Sequence, residues 1–274
     1  MARAEVNGTH LFYVEAGEGE PLVVLHGSWL DHEEWLPVVR QLAPSFRVVA
    51  YDRRGHGRSE TSGSEGSFTE DAADLEELLE QLGMAPAHVV AHSTGGAIAL
   101  RLAVRRPELF RSLASHEPPL FATLAGDPRA APLLERLEGT LEAVEELLAR
   151  GEHEAAARRF SAAALGPDAW EHELSDADRE RMIRNAPTFL EEVRQPERLD
   201  LDLTGLGALP FPVLLTEGAK SSPLRGMVAT RLTEVLPHVE RRVLDGVAHM
   251  PQLTDPEGYA NVVRDFVSRV LASS

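Results

Sequence analysis

The chain has 274 residues, of which 43% are hydrophobic, and its formal net charge is -17 at pH 7. This length can bury the core of one large α/β domain, with or without an insertion. The acidic balance argues against nucleic acids and anionic membranes as partners, and the lack of cysteine excludes disulfides, thiol catalysis and thiolate metal sites.

The N-terminal segment, residues 1–13, lacks the apolar run that a signal peptide requires. No later segment is apolar over a length sufficient for a transmembrane helix. We therefore expect a cytoplasmic protein that works without a membrane anchor.

Short apolar segments alternate with amphipathic ones over the first part of the chain. The predicted strands lie at residues 5–16 (two strands around an Asn7-Gly8 turn), 21–25, 46–51, 88–91 and 111–115. The predicted helices lie at residues 31–42, with Asp31 as N-cap, 68–82 and 95–106. Strands and helices that alternate at these intervals indicate a mostly parallel sheet with helices on both faces.

The strand pattern disappears between residues 120 and 206, where the sequence is helical and highly charged. The helices predicted there lie at residues 133–150, 152–164, 176–185 and 187–194, and the pattern after them predicts strands at 211–216 and 240–244 and helices at 223–236 and 256–271. An insertion after the sixth strand lies above the carboxyl edge of the sheet, where ligands bind. We therefore predict a helical cap at 120–206 over a core domain formed by 1–119 and 207–274; the alternative is a second, independent domain.

A serine stands at the junction of a predicted strand and a predicted helix, in the sequence HVVAHSTGG at residues 88–96. The backbone must bend sharply there, so small residues are needed two positions before and two positions after the serine. Ala91 and Gly95 meet this need and give A-x-S-x-G, where the usual pattern is G-x-S-x-G. The context predicts that Ser93 is presented as a nucleophile.

Four motifs in this order resemble those of the α/β-hydrolase superfamily. They are His26-Gly27, the segment DRRGHGRS at 52–59, the segment AHSTGG at 91–96 and the segment GVAH at 246–249. The resemblance covers nearly the whole chain and implies the α/β-hydrolase fold, with a mostly parallel central sheet flanked by helices and a cap after the sixth strand. The motifs are specific for the superfamily, but they are weak evidence for any single activity within it.

Among the catalytic residues of the superfamily, the histidine comes last in chain order. The resemblance therefore implies that His249 is the base that takes the proton of Ser93. The alternative for His249 is an ordinary solvated loop histidine. The developing oxyanion needs donors that are already in place. The backbone amide of Thr94 is the first predicted donor, and the amide of Ser28 is the second, with Gly27 as the alternative.

The acid of the triad departs from the commonest pattern of the superfamily. In most relatives, a glycine follows the strand that comes after the cap, and the catalytic aspartate stands three residues after this glycine. The corresponding glycine here is Gly218, and the residue three positions later is Ser221. Glu117, at the end of the strand before the cap, is the predicted acid, because certain haloalkane dehalogenases and the fungal zearalenone lactonases use this position. Glu217 and Asp245 are the alternatives.

Together these features predict a serine hydrolase that acts on a small-molecule substrate and cleaves carboxylic esters or lactones through a Ser-His-Glu triad and an acyl-enzyme, without a cofactor or metal ion. Dehalogenases and epoxide hydrolases of this fold need an aspartate in place of the serine at this strand-to-helix turn, which is called the nucleophile elbow, so Ser93 argues against both. Thioesterase, amidase and perhydrolase activities stay open, as does a non-hydrolytic receptor for a small ligand, and the sequence leaves room for a homodimer. Trp29 and Trp170 are predicted to contact substrate, with burial in the cap core as the alternative.

Overall fold

The computed structural model describes residues 2–61, 67–195 and 201–273. Its sheet has eight strands in the order β1-β2-β4-β3-β5-β6-β7-β8. The strands are β1 (Ala2–Val6), β2 (Thr9–Ala16), β3 (Glu20–Leu25), β4 (Phe46–Tyr51), β5 (Ala87–His92), β6 (Phe110–His116), β7 (Val213–Gly218) and β8 (Val239–Leu244). β2 pairs antiparallel with both β1 and β4, and all the other pairs are parallel.

Helices cover both faces of this sheet. They are α1 (Leu36–Leu42), α2 (Phe68–Gln81), α3 (Thr94–Arg105), α4 (Ala131–Ala149), α5 (His153–Ala164), α6 (Ala169–His172), α7 (Asp176–Arg194), α8 (Leu203–Leu206), α9 (Pro223–Val235), α10 (Pro251–Thr254) and α11 (Pro256–Ser273). One face of the sheet packs against α2, α3 and α9, and the other packs against α1 and α11. Because β5 lies between two parallel strands and is covered by helices on both faces of the sheet, it is buried at every position.

The predicted α/β architecture is confirmed, including the mostly parallel sheet and the helical insertion after β6. The predicted helix at 31–42 begins as a 3₁₀ turn, His32–Trp35, before α1, and the Asp31 side chain caps it by accepting a hydrogen bond from the amide of Glu33. Within the described ranges, no helix combines the length and the apolar character that a membrane crossing would need.

The insertion between β6 and β7 has a hydrophobic cluster of its own, which we call the cap core. Its buried members include Trp29, Val144, Ala157, Trp170, Met182 and Phe189. Trp29 comes from the loop after β3, so the cap core also binds the insertion to the core domain. The division into a cap at 120–206 and a core at 1–119 and 207–274 stays a prediction; Met1 and residues 62–66, 196–200 and 274 lie outside the described residues.

The prediction of separate helices at 176–185 and 187–194 is wrong, because α7 continues through Pro187. A proline in a helix interior costs about 3 kcal/mol relative to alanine. The apolar face of α7 continues across the proline, however, with Met182, Ala186 and Phe189 all buried in the cap core. Burying a large apolar side chain stabilises by about 1.5–3 kcal/mol, and this burial offsets the cost of the proline.

Candidate active site

Ser93 lies at the sharp turn between β5 and α3, with φ 50° and ψ -122°. This is a left-handed conformation that residues other than glycine rarely adopt, and such strain is typical of functional turns. The close approach of strand and helix explains Gly95, because a Cβ atom there would lie 2.5 Å from the carbonyl oxygen of His26. The turn therefore presents the Ser93 side chain at the carboxyl edge of the sheet.

The structure brings Ser93, His249 and Glu117 together from three separate segments of the chain. His249 Nε2 lies 3.1 Å from Ser93 Oγ, and His249 Nδ1 lies 2.7 Å from Glu117 Oε2. All three residues are buried. This is the relation of nucleophile, base and acid that a catalytic triad requires.

Glu117 follows β6 in a left-handed conformation, with φ 47°. Its Oε1 accepts a hydrogen bond of 2.8 Å from the amide of Gly218, and its Oε2 faces both His249 and Arg225. Burial alone would raise the pKa of Glu117, but the Arg225 cation and the hydrogen bond from His249 lower it far below its usual value. The Glu117 side chain is therefore an ionised carboxylate.

The two alternative acids do not reach His249. Glu217, at the end of β7, is paired with Arg241, whose Nε lies 2.7 Å from Glu217 Oε1. Asp245 is exposed on the loop after β8. The geometry thus favours Glu117 over both.

His249 is positioned as a neutral base. Because Glu117 is an ionised acceptor, Nδ1 of His249 carries the proton, which leaves Nε2 free to accept the hydrogen of the Ser93 hydroxyl. Burial and then the Arg225 cation lower the pKa of His249 well below its ordinary value. His92, the next residue before Ser93, donates from Nε2 to the carbonyl oxygen of His249 at 2.9 Å and thus supports the loop that carries the base.

The two residues predicted to line the oxyanion hole lie next to each other. Ser28 Oγ is 2.7 Å from Thr94 Oγ1 and also donates to the carboxylate of Glu192 in α7. Because that carboxylate can only accept, the Thr94 hydroxyl must donate to Ser28. Both hydroxyl protons are therefore engaged, and the backbone amides of Ser28 and Thr94 stay the predicted oxyanion donors.

Sequence reasoning missed two charged residues at the site, Glu192 and Arg225. Glu192 is buried and lies 2.8 Å from Nη2 of Arg53, which is also paired with Asp71 at 2.7 Å. Its position three residues after Phe189, on the buried face of an amphipathic helix, is the signal that could have found it. Arg225 stands in the first turn of α9, and no local pattern marks it.

A cavity opens above Ser93 between the sheet edge and the cap, with an empty volume of about 820 Å³ that includes space open to solvent. Ser93, Ser28 and Thr94 line it together with Glu192 and Arg225. The rest of the lining is mostly apolar, including Phe121, Leu137, Leu141, Phe160, Phe189 and Val193. An apolar group of a ligand would therefore be desolvated beside the nucleophile.

The structure corrects the prediction that Trp29 and Trp170 contact substrate. Trp29 is fully buried in the cap core, with its ring centroid 5.1 Å from that of Phe160 and 4.7 Å from that of Phe189. The backbone of Trp29 has a positive φ of 71°, in the left-handed region. Trp170 is 3% exposed and packs in the same cap core beneath the guanidinium of Arg158. Trp29 therefore supports two rings of the cavity wall from behind.

We expect Trp170→Ala to lower the free energy of unfolding by about 3–5 kcal/mol, because it empties a large site in the cap core. Urea denaturation followed by circular dichroism would measure the change. Phe121→Ala is the matched control, since Phe121 is a half-buried residue of the cavity wall and its truncation leaves less buried space. A greater loss for Phe121→Ala than for Trp170→Ala would contradict this placement.

Comparisons with known proteins agree on the fold. A family model described as alpha/beta hydrolase fold matches residues 20–256. A protein of Azorhizobium caulinodans that carries the name carbamate hydrolase RutD is 26% identical over 276 residues, spanning 98% of this chain and 99% of that protein.

Solved structures cover the chain almost completely. A thermophilic esterase from Thermogutta terrifontis matches with a TM-score of 0.80 and 21% identity, over 98% of this chain and 99% of that one. The enol-lactonase from Burkholderia xenovorans matches with a TM-score of 0.74 and 20% identity, over 97% and 100%. A haloalkane dehalogenase and an epoxide hydrolase also match. These likenesses show a shared fold, so the reaction must be argued from the site residues.

Proposed function

The chain belongs to the alpha/beta hydrolase fold family, and from this premise we propose that it is a serine hydrolase that cleaves carboxylic esters or lactones. The observation that carries the proposal is the chain of contacts from Glu117 through His249 to Ser93 at the floor of the cavity. The serine at the elbow supports acyl transfer over the dehalogenase and epoxide-hydrolase reactions of the same fold, which need an aspartate there.

The geometry supports a two-stage reaction. Ser93 Oγ attacks the carbonyl carbon while Nε2 of His249 takes the hydroxyl proton, and the Glu117 carboxylate stabilises the imidazolium that forms. The amides of Ser28 and Thr94 would stabilise the oxyanion. The bond from carbon to the leaving oxygen then breaks, and His249 gives its proton to that oxygen. His249 then takes a proton from water, whose oxygen attacks the carbonyl carbon of the acyl-enzyme. The bond from that carbon to Ser93 Oγ breaks, His249 returns the proton to Oγ, and the acid is released.

The cavity wall supports an apolar substrate group. Side chains from α4, α5 and α7, including Leu141, Phe160 and Phe189, face the nucleophile. An ester or lactone with an aliphatic or aromatic group would bury it against these side chains, each methylene contributing about 0.8 kcal/mol. The esterase and lactonase among the similar structures are in keeping with this substrate class.

A hydrolysis screen tests the proposal directly. The substrates are p-nitrophenyl esters from acetate to decanoate, aryl acetates, and γ- and δ-lactones, with release of nitrophenol or acid as the readout. We expect turnover of several substrates and a preference for acyl groups longer than acetate. Stoichiometric binding of such molecules without turnover would favour the receptor alternative instead.

Filling the cavity should change the chain-length preference. We expect Leu141→Phe to lower the ratio of kcat/KM for decanoate over acetate by about tenfold, because the larger ring occupies space that the long acyl group needs. The matched control is Leu147→Phe on the same helix, since Leu147 packs against the cap core as Leu141 does but is not part of the cavity lining. Equal ratios for the two variants would contradict the assignment of this wall to the acyl group.

A further inference from the structure

Arg225 contacts Glu117, the proposed acid of the triad. In the chain of hydrogen bonds from Ser93 through His249 to Glu117, it lies at the end away from Ser93. Its Nε lies 3.1 Å from Glu117 Oε2, and its Nη1 donates to the carbonyl oxygen of Glu117 at 3.4 Å. The Arg225 side chain is 10% exposed and the Glu117 side chain is 0% exposed. The pair is therefore largely shielded from water, and screening by solvent is weak.

Arg225 and His249 converge on one oxygen atom of Glu117. Oε2 lies 2.7 Å from His249 Nδ1 and 3.1 Å from Arg225 Nε, while Oε1 accepts from the amide of Gly218. Groups on three different segments thus fix the plane of the carboxylate. The guanidinium of Arg225 also offsets part of the negative charge that the Glu117 carboxylate presents to His249.

We propose that Arg225 is a positioning residue, which aims the Glu117 carboxylate at His249 and keeps His249 in its neutral, proton-accepting form in acidic solution. The consequence for turnover rests on the proposed serine-hydrolase function. The consequence for the ionisation of His249 does not, since it follows from the charges of the resting site.

The direction of the effect follows from the charges. A fixed cation near the imidazole opposes its protonation, whereas the carboxylate favours it. The pKa of His249 lies well below its ordinary value, through burial first and the Arg225 cation second, against the opposing effect of Glu117. Removal of the cation therefore raises the pKa of His249, and a base that must be neutral to act loses activity at a higher pH.

Other titratable and charged groups near His249 come from several elements. His92 at the end of β5 has its ring centroid 4.6 Å from that of His249, and His116 at the end of β6 has its centroid at 6.3 Å. Two carboxylates are bound by other residues: Glu34 lies 3.5 Å from His92 Nδ1, and Glu192 of α7 is paired with Arg53. Burial lowers the pKa of His116 to about 3, so its ring is neutral near neutral pH. Arg225 is the cation that touches the triad acid itself.

The test compares Arg225→Met, Arg225→Lys and the control Arg241→Met, which removes the arginine paired with Glu217 at the end of β7. For Arg225→Met we expect the acidic limb of the kcat/KM profile to move up by about one to two pH units, as expected for the loss of one nearby charge. Arg225→Lys should restore most of the wild-type profile, and Arg241→Met should leave it unchanged. Should Arg225→Met fail to fold, Arg225→Gln replaces it.

A second readout does not depend on turnover. The ring nitrogens of His249 are titrated by NMR in histidine-labelled Ser93→Ala protein, with and without Arg225→Met, and assigned by their loss in His249→Gln. We expect the same upward shift. A shift in this titration, together with no ester hydrolysis by the protein with Ser93 intact, would support the role of Arg225 and refute the proposed function. The opposite outcome is that the protein with Ser93 intact hydrolyses esters, that Arg225→Met leaves the titration of His249 unmoved, and that this variant loses the same fraction of kcat/KM at every pH. This outcome would overturn the role of Arg225 and leave the proposed function standing.

Discussion

Ser93→Ala is expected to lower ester turnover by about three orders of magnitude or more, because it removes the atom that forms the acyl-enzyme. The cavity, the oxyanion amides and the His249–Glu117 pair stay in place, so substrate binding should change little. The lost hydrogen bond to His249 should alter the free energy of unfolding by only about 1 kcal/mol. Steady-state kinetics on the best ester of the screen, together with urea denaturation, would measure both quantities.

Ser28→Ala is the matched control for this variant. It removes a hydroxyl group from the same cavity but keeps the backbone amide through which Ser28 is proposed to act. We expect its turnover to stay within about tenfold of the wild type, because the hydroxyl is engaged with Glu192 and Thr94 instead of the reaction. If folded Ser93→Ala protein kept wild-type turnover, the serine mechanism would be excluded.

Glu117→Gln is expected to lower kcat by about three to four orders of magnitude, as the loss of a triad acid does when the shape of the side chain is kept. The neutral amide no longer stabilises the imidazolium, and its NH₂ group can force the wrong tautomer on His249. Glu217→Gln and Asp245→Asn, assayed on the same ester, should stay near the wild type. A crippled Glu217→Gln or Asp245→Asn beside a nearly normal Glu117→Gln would show that the acid is assigned wrongly.

The same substitution should also affect stability. Glu117→Gln leaves the guanidinium of Arg225 buried without its ionised partner, and breaking a buried ion pair in this way costs about 3–5 kcal/mol. The double variant Glu117→Gln/Arg225→Met removes both charges and should recover part of that stability. Because turnover should stay low in the double variant, the two effects of Glu117 can be separated.

The sequence predicts the turn at Ser93 and the positions of the strands along the chain because both depend on local patterns. The apolar β5, the small residues around Ser93 and the glycine-rich loops all act within a few residues of the features that they determine. Glu117 is predicted as the acid because Ser221 stands where a carboxylate is usual and because the resemblance implies an acid after the strand before the cap. Its distance to His249 required the structure.

What the sequence did not predict depends on packing between distant segments. Glu192 reaches Ser28 across 164 positions, and Arg225 reaches Glu117 across 108. The tryptophans were misplaced for the same reason, since an apolar side chain suits a cavity wall and a core equally well until its neighbours are known. Likewise, the continuous α7 reflects burial in the cap core, which overrides the local preference of Pro187.

Covalent labelling shows whether Ser93 is an activated nucleophile. The native protein is treated with a fluorophosphonate, digested and mapped by mass spectrometry. We predict one adduct per chain, on the peptide that contains Ser93, with none in His249→Gln, in Ser93→Ala or in urea-denatured protein. A native protein that stays unlabelled, or that carries the adduct on another residue while Ser93 is unmodified, would contradict the proposed mechanism.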